Sequence, residues 1–331
     1  MSYIKEQQLT LADVGRMARA GKTAAPPIDD ELPWDEETYI ENFTMPNIKK
    51  FLDQHLIGQD AAKKAMAQIL YTTYEHDIVS TNLFIGPTGC GKTELARTVD
   101  NEFRTACTWL DASCLSAEGW KGSVHLSDTL KSIRRDGHKK ILFIDEIDKL
   151  LDIRGNEVEY HLLIQDELLK LFDHDKALFT DCISPEDLTI VCMGAFSKIY
   201  EKKGKKEKRI GFSAYDKEEE KDIVIDANDL IEAGFKAELI GRFDRIVQMD
   251  APTLETYKQI ANKELWKLAE RFDKGINIHD DDMYAIAQEA LTSGLGARKI
   301  RSMLRARVED YIYDHPYADV IDLCNTPAAE M

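Results

Sequence analysis

Gly86-Pro87-Thr88-Gly89-Cys90-Gly91-Lys92-Thr93 is the stretch on which the fold turns. It fits the pattern G-x-x-x-x-G-K-[ST]. The apolar run Asn82-Leu83-Phe84-Ile85 precedes it, and Glu94-Leu95-Ala96-Arg97 follows with helical character. Strand, glycine loop and helix in that order form the setting of a phosphate-binding loop. The glycines let backbone N–H groups turn inward around an anion, and the helix N-terminus adds its partial positive charge. Pro87, Thr88, Gly89, Cys90 and Gly91 then form the cradle. Lys92 reaches the outer phosphates, and the Thr93 hydroxyl ligates Mg²⁺. A chance glycine turn is the competing reading, and the flanking strand and helix weigh against it.

A second segment completes the pattern. Ile141-Leu142-Phe143-Ile144 is followed by Asp145-Glu146. A buried strand ending in acids places them at the sheet's carboxyl edge, beside the glycine loop. There Asp145 holds Mg²⁺, directly or through water, and Glu146 orients and deprotonates an attacking water. Alone, the pair also reads as a solvated strand end.

Bulk composition narrows the classes. The chain has 331 residues, 44% hydrophobic and 31% charged, which suits a globular protein with more than one domain. Its net charge of −17 argues against broad nucleic-acid binding, which needs a basic face, while leaving a local basic channel open. The six cysteines form no CxxC pair and read as incidental thiols in a reducing compartment. Neither a signal peptide nor an apolar run long enough to span a bilayer is seen, so a cytoplasmic protein without membrane contact is expected.

Along the chain, residues 1–45 read as an N-terminal extension, either a mobile tail or a docking helix that Thr10 caps. Helical periodicity runs from Pro46 to Tyr74, interrupted at Ile57-Gly58. Apolar runs at 82–86, 106–110, 140–144, 188–193 and 244–249 then alternate with helical segments near 91–102, 124–135, 157–173 and 226–240. That alternation predicts an α/β domain over 46–250 with a five-stranded parallel sheet. Segments near 253–273, 280–292 and 296–313 predict a small helical domain over 251–320, followed by a tail at 321–331. Asp280-Asp281-Asp282 sits where a helix starts and reads as capping and dipole complementation.

These pieces, in this order, resemble an AAA+ ATPase, and within that class the ClpX-type (Clp/HslU) unfoldases. The resemblance runs from about Phe51 to Tyr313. Leu56-Ile57-Gly58-Gln59 is similar to the family's adenine-side segment, so Ile57, Gly58 and Gln59 are expected to bind nucleotide. Gly194-Ala195-Phe196 follows the fourth strand. Glu238-Leu239-Ile240-Gly241-Arg242 resembles the arginine-finger segment, and Gly296-Ala297-Arg298 the sensor-2 motif. The resemblance implies an AAA+ P-loop fold with a helical lid domain. It also implies a homo-hexamer that binds ATP and ADP with Mg²⁺ at subunit interfaces and acts on polypeptide substrates. Arg242 would enter a neighbour's site, and Arg298 would reach the phosphates from the lid.

Two further segments belong to this reading. Trp120, between Gly119 and Lys121-Gly122, sits where the family presents an aromatic in the pore; Tyr followed by Val is the family pattern. Trp120 is therefore the expected substrate grip, and Lys121 would favour acidic segments. Packing of Trp120 on its own domain is the rival. Ile210-Gly211-Phe212 matches the tripeptide with which such unfoldases dock on a ClpP-like peptidase. A solvated loop with a buried Phe212, preceded by the basic run Lys202–Arg209, is the alternative, and a nucleic-acid contact by those lysines is a third.

The chain also departs from the family. No cysteine precedes Cys90, so the zinc-binding N-terminal domain is expected to be missing, which leaves residues 1–45 as the candidate for adaptor or substrate choice. The segment 173–188 is short, and His161-Leu162-Leu163 replaces a Gly-Glu-Gly. Met193 stands where relatives place a polar sensor. The sequence reading is thus an ATP-dependent unfoldase and translocase. Its rivals are a peptidase-independent remodeller, a DNA-directed AAA+ motor and a nonenzymatic nucleotide-gated scaffold.

Overall fold

A computed structural model describes residues 43–103, 107–117, 124–151, 158–179, 183–210 and 223–324. Two compact units emerge, one running to Gly86 and over Lys92–Met249, the other taking Pro87–Gly91 together with Asp250 onward.

The first unit opens with α1 (Met45–His55), which Thr44 caps and Pro46 starts, and α2 (Asp60–Glu75). Then come β1 (Thr81–Ile85), α3 (Lys92–Glu102), β2 (Cys107–Asp111), α4 (Leu126–Ser132), β3 (Lys140–Asp145) and α5 (Val158–Phe172). The unit ends with β4 (Leu188–Gly194), α6 (Ser197–Ile210), α7 (Ala227–Ala233), α8 (Ala237–Ile240) and β5 (Arg245–Gln248). The five strands pair in parallel in the order β2-β3-β4-β1-β5. Every residue of β1 and β4 is buried, as is all of β3 but its last residue. Covering helices explain why these strands read as continuous apolar runs. Ile85 pairs with Gly194, and Ile144 with Cys192, so the ends of β1, β4 and β3 lie on one edge. On the opposite side of the sheet's length, buried Thr73 of α2 and Thr189 of β4 share a 2.9 Å hydroxyl hydrogen bond.

The second unit holds α9 (Leu254–Phe272), α10 (Asp280–Ser293) and α11 (Ala297–Asp314). Their shared core includes Tyr257, Ala261, Ile286, Ile300 and Leu304. Two short parallel strands, β6 (Gly275–Asn277) and β7 (Val320–Asp322), join them. The helical periodicity gave no sign of these strands, because three residues with one buried side chain carry no period.

Three further expectations change. The helix read over 226–240 is two helices, broken at Gly234, whose φ of 118° only glycine adopts readily. The basic run 202–209, read as a loop, continues α6 to Ile210, because Lys, Arg and Glu are good helix formers whatever their charge. Asp280–Asp282 fill the first turn of α10, where the dipole favours them, but the cap position is His279. Among the described residues no helix is long and apolar enough to cross a membrane.

Leu142, fully buried in β3, tests the central strand. Leu142→Ala is expected to destabilise the first unit by about 2–5 kcal/mol, read as a lowered denaturant midpoint.

Candidate functional site

The glycine loop begins where β1 ends. Gly86 donates its N–H to the Gly194 carbonyl at 3.3 Å, which ties the loop's start to β4. Gly89 and Gly91 have φ of 81° and 103°, the left-handed region that side chains avoid. Gly89 and Gly296, both in the second unit, pass so closely that a Cβ built on Gly89 would sit 3.0 Å from the Gly296 Cα. Cys90 is buried, and its N–H is 3.3 Å from the Pro87 carbonyl.

Lys92 and Thr93 form the first turn of α3. Lys92 is only 9% exposed, and its ammonium donates to the Gly86 carbonyl at 2.6 Å. A cation so sheltered at a helix N-terminus sits against the dipole, an arrangement that an incoming anion relieves. The Thr93 hydroxyl donates to Asp145 Oδ2 at 3.1 Å, while Asp145 Oδ1 accepts the Glu146 N–H at 2.9 Å. A hydroxyl and a carboxylate thus converge at the carboxyl edge of the sheet. These hard oxygen donors are of the kind that would hold Mg²⁺.

Glu146 is exposed at the carboxyl edge and has φ of 56°. Such a conformation costs a non-glycine residue about 1–3 kcal/mol. Two residues on, in the turn Ile147–Leu151, Asp148 accepts N–H groups from Ala195 at 3.0 Å and Phe196 at 3.2 Å. A Cβ on Gly194 would strike the Phe196 ring at 2.5 Å and the Asp148 carboxylate at 3.0 Å. Asp148 therefore clamps the turn after β3 to the exit of β4. Sequence reasoning gave it no role; the only signal was the spacing of a third acid after Asp145-Glu146. Met193, by contrast, is a buried apolar residue of β4.

Ile57, Gly58 and Gln59 form the turn between α1 and α2, with φ of 68° at Gly58 and 61° at Gln59. An ionic staple underlies the turn. Buried Lys63 donates to the Leu56 carbonyl at 3.3 Å and lies 2.5 Å from Asp53, while Lys49 bridges Asp53 and Asp60. Burial alone would raise the Asp53 carboxyl, but its bonds to Lys63 and Lys49 outweigh this and hold it below the usual range. The Lys49 bond, then the charges of Lys49 and Lys63, lower Asp60.

Arg242 follows α8 and is exposed; its Nε pairs with Asp173, just past α5. Arg298 is exposed in the first turn of α11. Ile210 is the last residue of α6. Trp120, Lys121, Gly211 and Phe212 lie outside the described residues.

A family model described as "ATPase family associated with various cellular activities (AAA)" matches residues 82–251. A second, for the C-terminal D2-small domain of ClpB protein, matches 253–325. The chain is 28% identical to an ATP-dependent Clp protease ATP-binding subunit ClpX of Treponema denticola, over 82% of this chain and 77% of that one. It is 30% identical to ClpX 2 of Wolinella succinogenes, over 81% and 77%.

The lowered Asp53 and Asp60 give the staple a pH signature. Their stabilisation is complete above the ordinary carboxylate range, about 4, and is lost as pH falls through their depressed folded values. Lys63→Met removes the largest opposing charge from Asp53. It is expected to shift the acid-unfolding midpoint, followed by circular dichroism, to higher pH.

Proposed function

Because this chain is a ClpX-like member of the AAA family of ATPases, we propose that it is an unfoldase that threads polypeptides through a homo-hexameric ring in the cytoplasm. The observation that carries this reading is the meeting of Thr93 and Asp145, with Glu146 exposed beside them.

In this reading Pro87–Gly91 cradle the phosphates of ATP, and Lys92 holds the β- and γ-phosphates. Thr93 and Asp145 hold Mg²⁺, which when bound offsets the negative charge that gathers on the phosphate oxygens. Ile57, Gly58 and Gln59 flank the adenine. Glu146 accepts a proton from a water whose oxygen bonds to the γ-phosphorus. The bond from that phosphorus to the β–γ bridging oxygen breaks, and ADP leaves with the electron pair. Glu146 sits in left-handed backbone just past the strand, and the Asp148 clamp keeps the adjoining turn in place.

Arg242 acts on a neighbour's site. In the single chain it pairs with Asp173, and both side chains keep substantial exposure, at 52% and 38%. Such a pair contributes at most about 1 kcal/mol, so exchanging it for a γ-phosphate costs little. A finger of this kind is worth about 10³–10⁵ in rate. Arg298 senses the phosphates from the lid, and the closing and opening of that lid moves substrate. Trp120 and Lys121 grip the polypeptide. Ile210, Gly211 and Phe212 dock on a ClpP-like peptidase; the relatives are named as ATP-binding subunits of a Clp protease.

Two substitutions separate these roles. Glu146→Gln is expected to keep ATP affinity while lowering phosphate release about 10²–10⁴-fold, measured by nucleotide titration and a phosphate assay. Trp120→Ala is expected to keep ATPase activity and to lose ATP-dependent unfolding of a fluorescent folded client. Undiminished unfolding by that variant removes Trp120 from the mechanism.

A further inference from the structure

Arg242 stands two residues beyond the last residue of α8, a helix of a single turn. Such a turn does not support itself, because fixing the first hydrogen-bonded turn costs more backbone freedom than one bond returns. Yet its end carries the arginine. The Arg242 N–H donates to the Leu239 carbonyl at 3.2 Å, and the Gly241 N–H to the Ala237 carbonyl at 2.9 Å. Where the guanidinium stands therefore depends on what holds α8.

Gln165, midway along α5, holds it. The residue is 1% exposed. Its Oε1 accepts the Lys236 N–H at 2.9 Å, and its Nε2 donates to the Gly234 carbonyl at 3.2 Å. These two backbone groups flank Phe235 in the bend between α7 and α8. The Lys236 ammonium adds an ion pair with Asp166, the next residue of α5. Phe235 packs on Phe196, their ring centroids 6.1 Å apart. At the other end of α5, Phe172 meets Phe243 at 5.2 Å, and Asp173 pairs with Arg242. One helix thus fixes the segment both before α8 and after it.

We propose that Gln165 is a positioning residue for Arg242: its amide sets the bend before α8, and through that turn the placement of the guanidinium against a neighbouring chain's γ-phosphate. The inference rests on the reading of Arg242 given above and deepens it by naming the residue on which the arginine's placement depends. A glutamine suits the task because one planar amide supplies both an acceptor and a donor, matching an N–H and a carbonyl two residues apart. An apolar side chain of the same length would leave those backbone groups without these partners.

The test uses Gln165→Met, which keeps the length and the burial and removes both bonds. ATP affinity is expected to be unchanged in a nucleotide titration. The kcat for phosphate release is expected to fall about 10²-fold, the scale of a misplaced catalytic group. Equal amounts of this variant and of Glu146→Gln, which keeps Arg242, are then mixed before nucleotide is added. The mixture is expected to exceed the mean of the two separate rates roughly tenfold, because Gln165→Met sites then receive an arginine from a neighbour. A defect in a chain's own site is not rescued in this way. Lys236→Pro is the second variant and decides by the same criteria should Gln165→Met not fold. Lys236 has a φ of −64°, which proline adopts, and the change removes the N–H that Gln165 accepts together with the ion pair to Asp166. Arg242→Ala mixed with Glu146→Gln is the control. Rescue of Arg242→Ala without rescue of the folded Gln165 or Lys236 variant overturns the proposal alone, as does an undiminished kcat in Gln165→Met. Failure to rescue Arg242→Ala overturns the reading of the arginine and the proposal with it.

Discussion

Parallel pairing of β3, β4 and β1 forces their carboxyl ends onto one edge, and the chemistry of the first unit is collected there. Because Ile85 is level with Gly194, and Ile144 with Cys192, the glycine loop and the acidic pair emerge on either side of the end of β4. The Thr93 hydroxyl then needs no long reach to meet Asp145 at 3.1 Å. A shift of one residue in either pairing would exchange the side chains packed on the two faces of the sheet, so the packing that makes the core also fixes the site.

At that edge the chain accepts local costs. Lys92 is held almost out of solvent against a helix N-terminus, and Glu146 sits in a backbone region that non-glycine residues avoid. Both are tolerable because rigid neighbours surround them. The Gly86 carbonyl holds the ammonium, and Asp148 pins the following turn to Ala195 and Phe196. Phe196 itself takes a φ of 53°, and Gly194 leaves no room for a Cβ, so the exit of β4 admits few sequences. Preorganised charge of this kind favours binding and turnover of a phosphate anhydride over bare stability.

How legible each feature was in the sequence depended on its range. Buried parallel strands appear as unbroken apolar runs, and β1, β3 and β4 lie within a residue or two of where those runs fall. Glycines with positive φ mark the loop because no other residue serves there as well. The Asp148 clamp was invisible, since its partners lie 47 and 48 residues away and only the fold brings them together. The helical state of 202–209 was missed because a run of lysines says more about solvent than about backbone. Strands β6 and β7 are too short to leave a period, and the pairing of Arg242 with Asp173 depends on tertiary placement.

Orthophosphate release by the unmodified chain in saturating Mg·ATP, followed over a hundredfold range of protein concentration, tests the account most directly. The proposal that a neighbour's arginine completes the catalytic edge predicts a rate per chain that climbs as the proposed rings assemble and then levels off. Release that stays at background through ring formation, or a rate per chain that ignores assembly altogether, would contradict it.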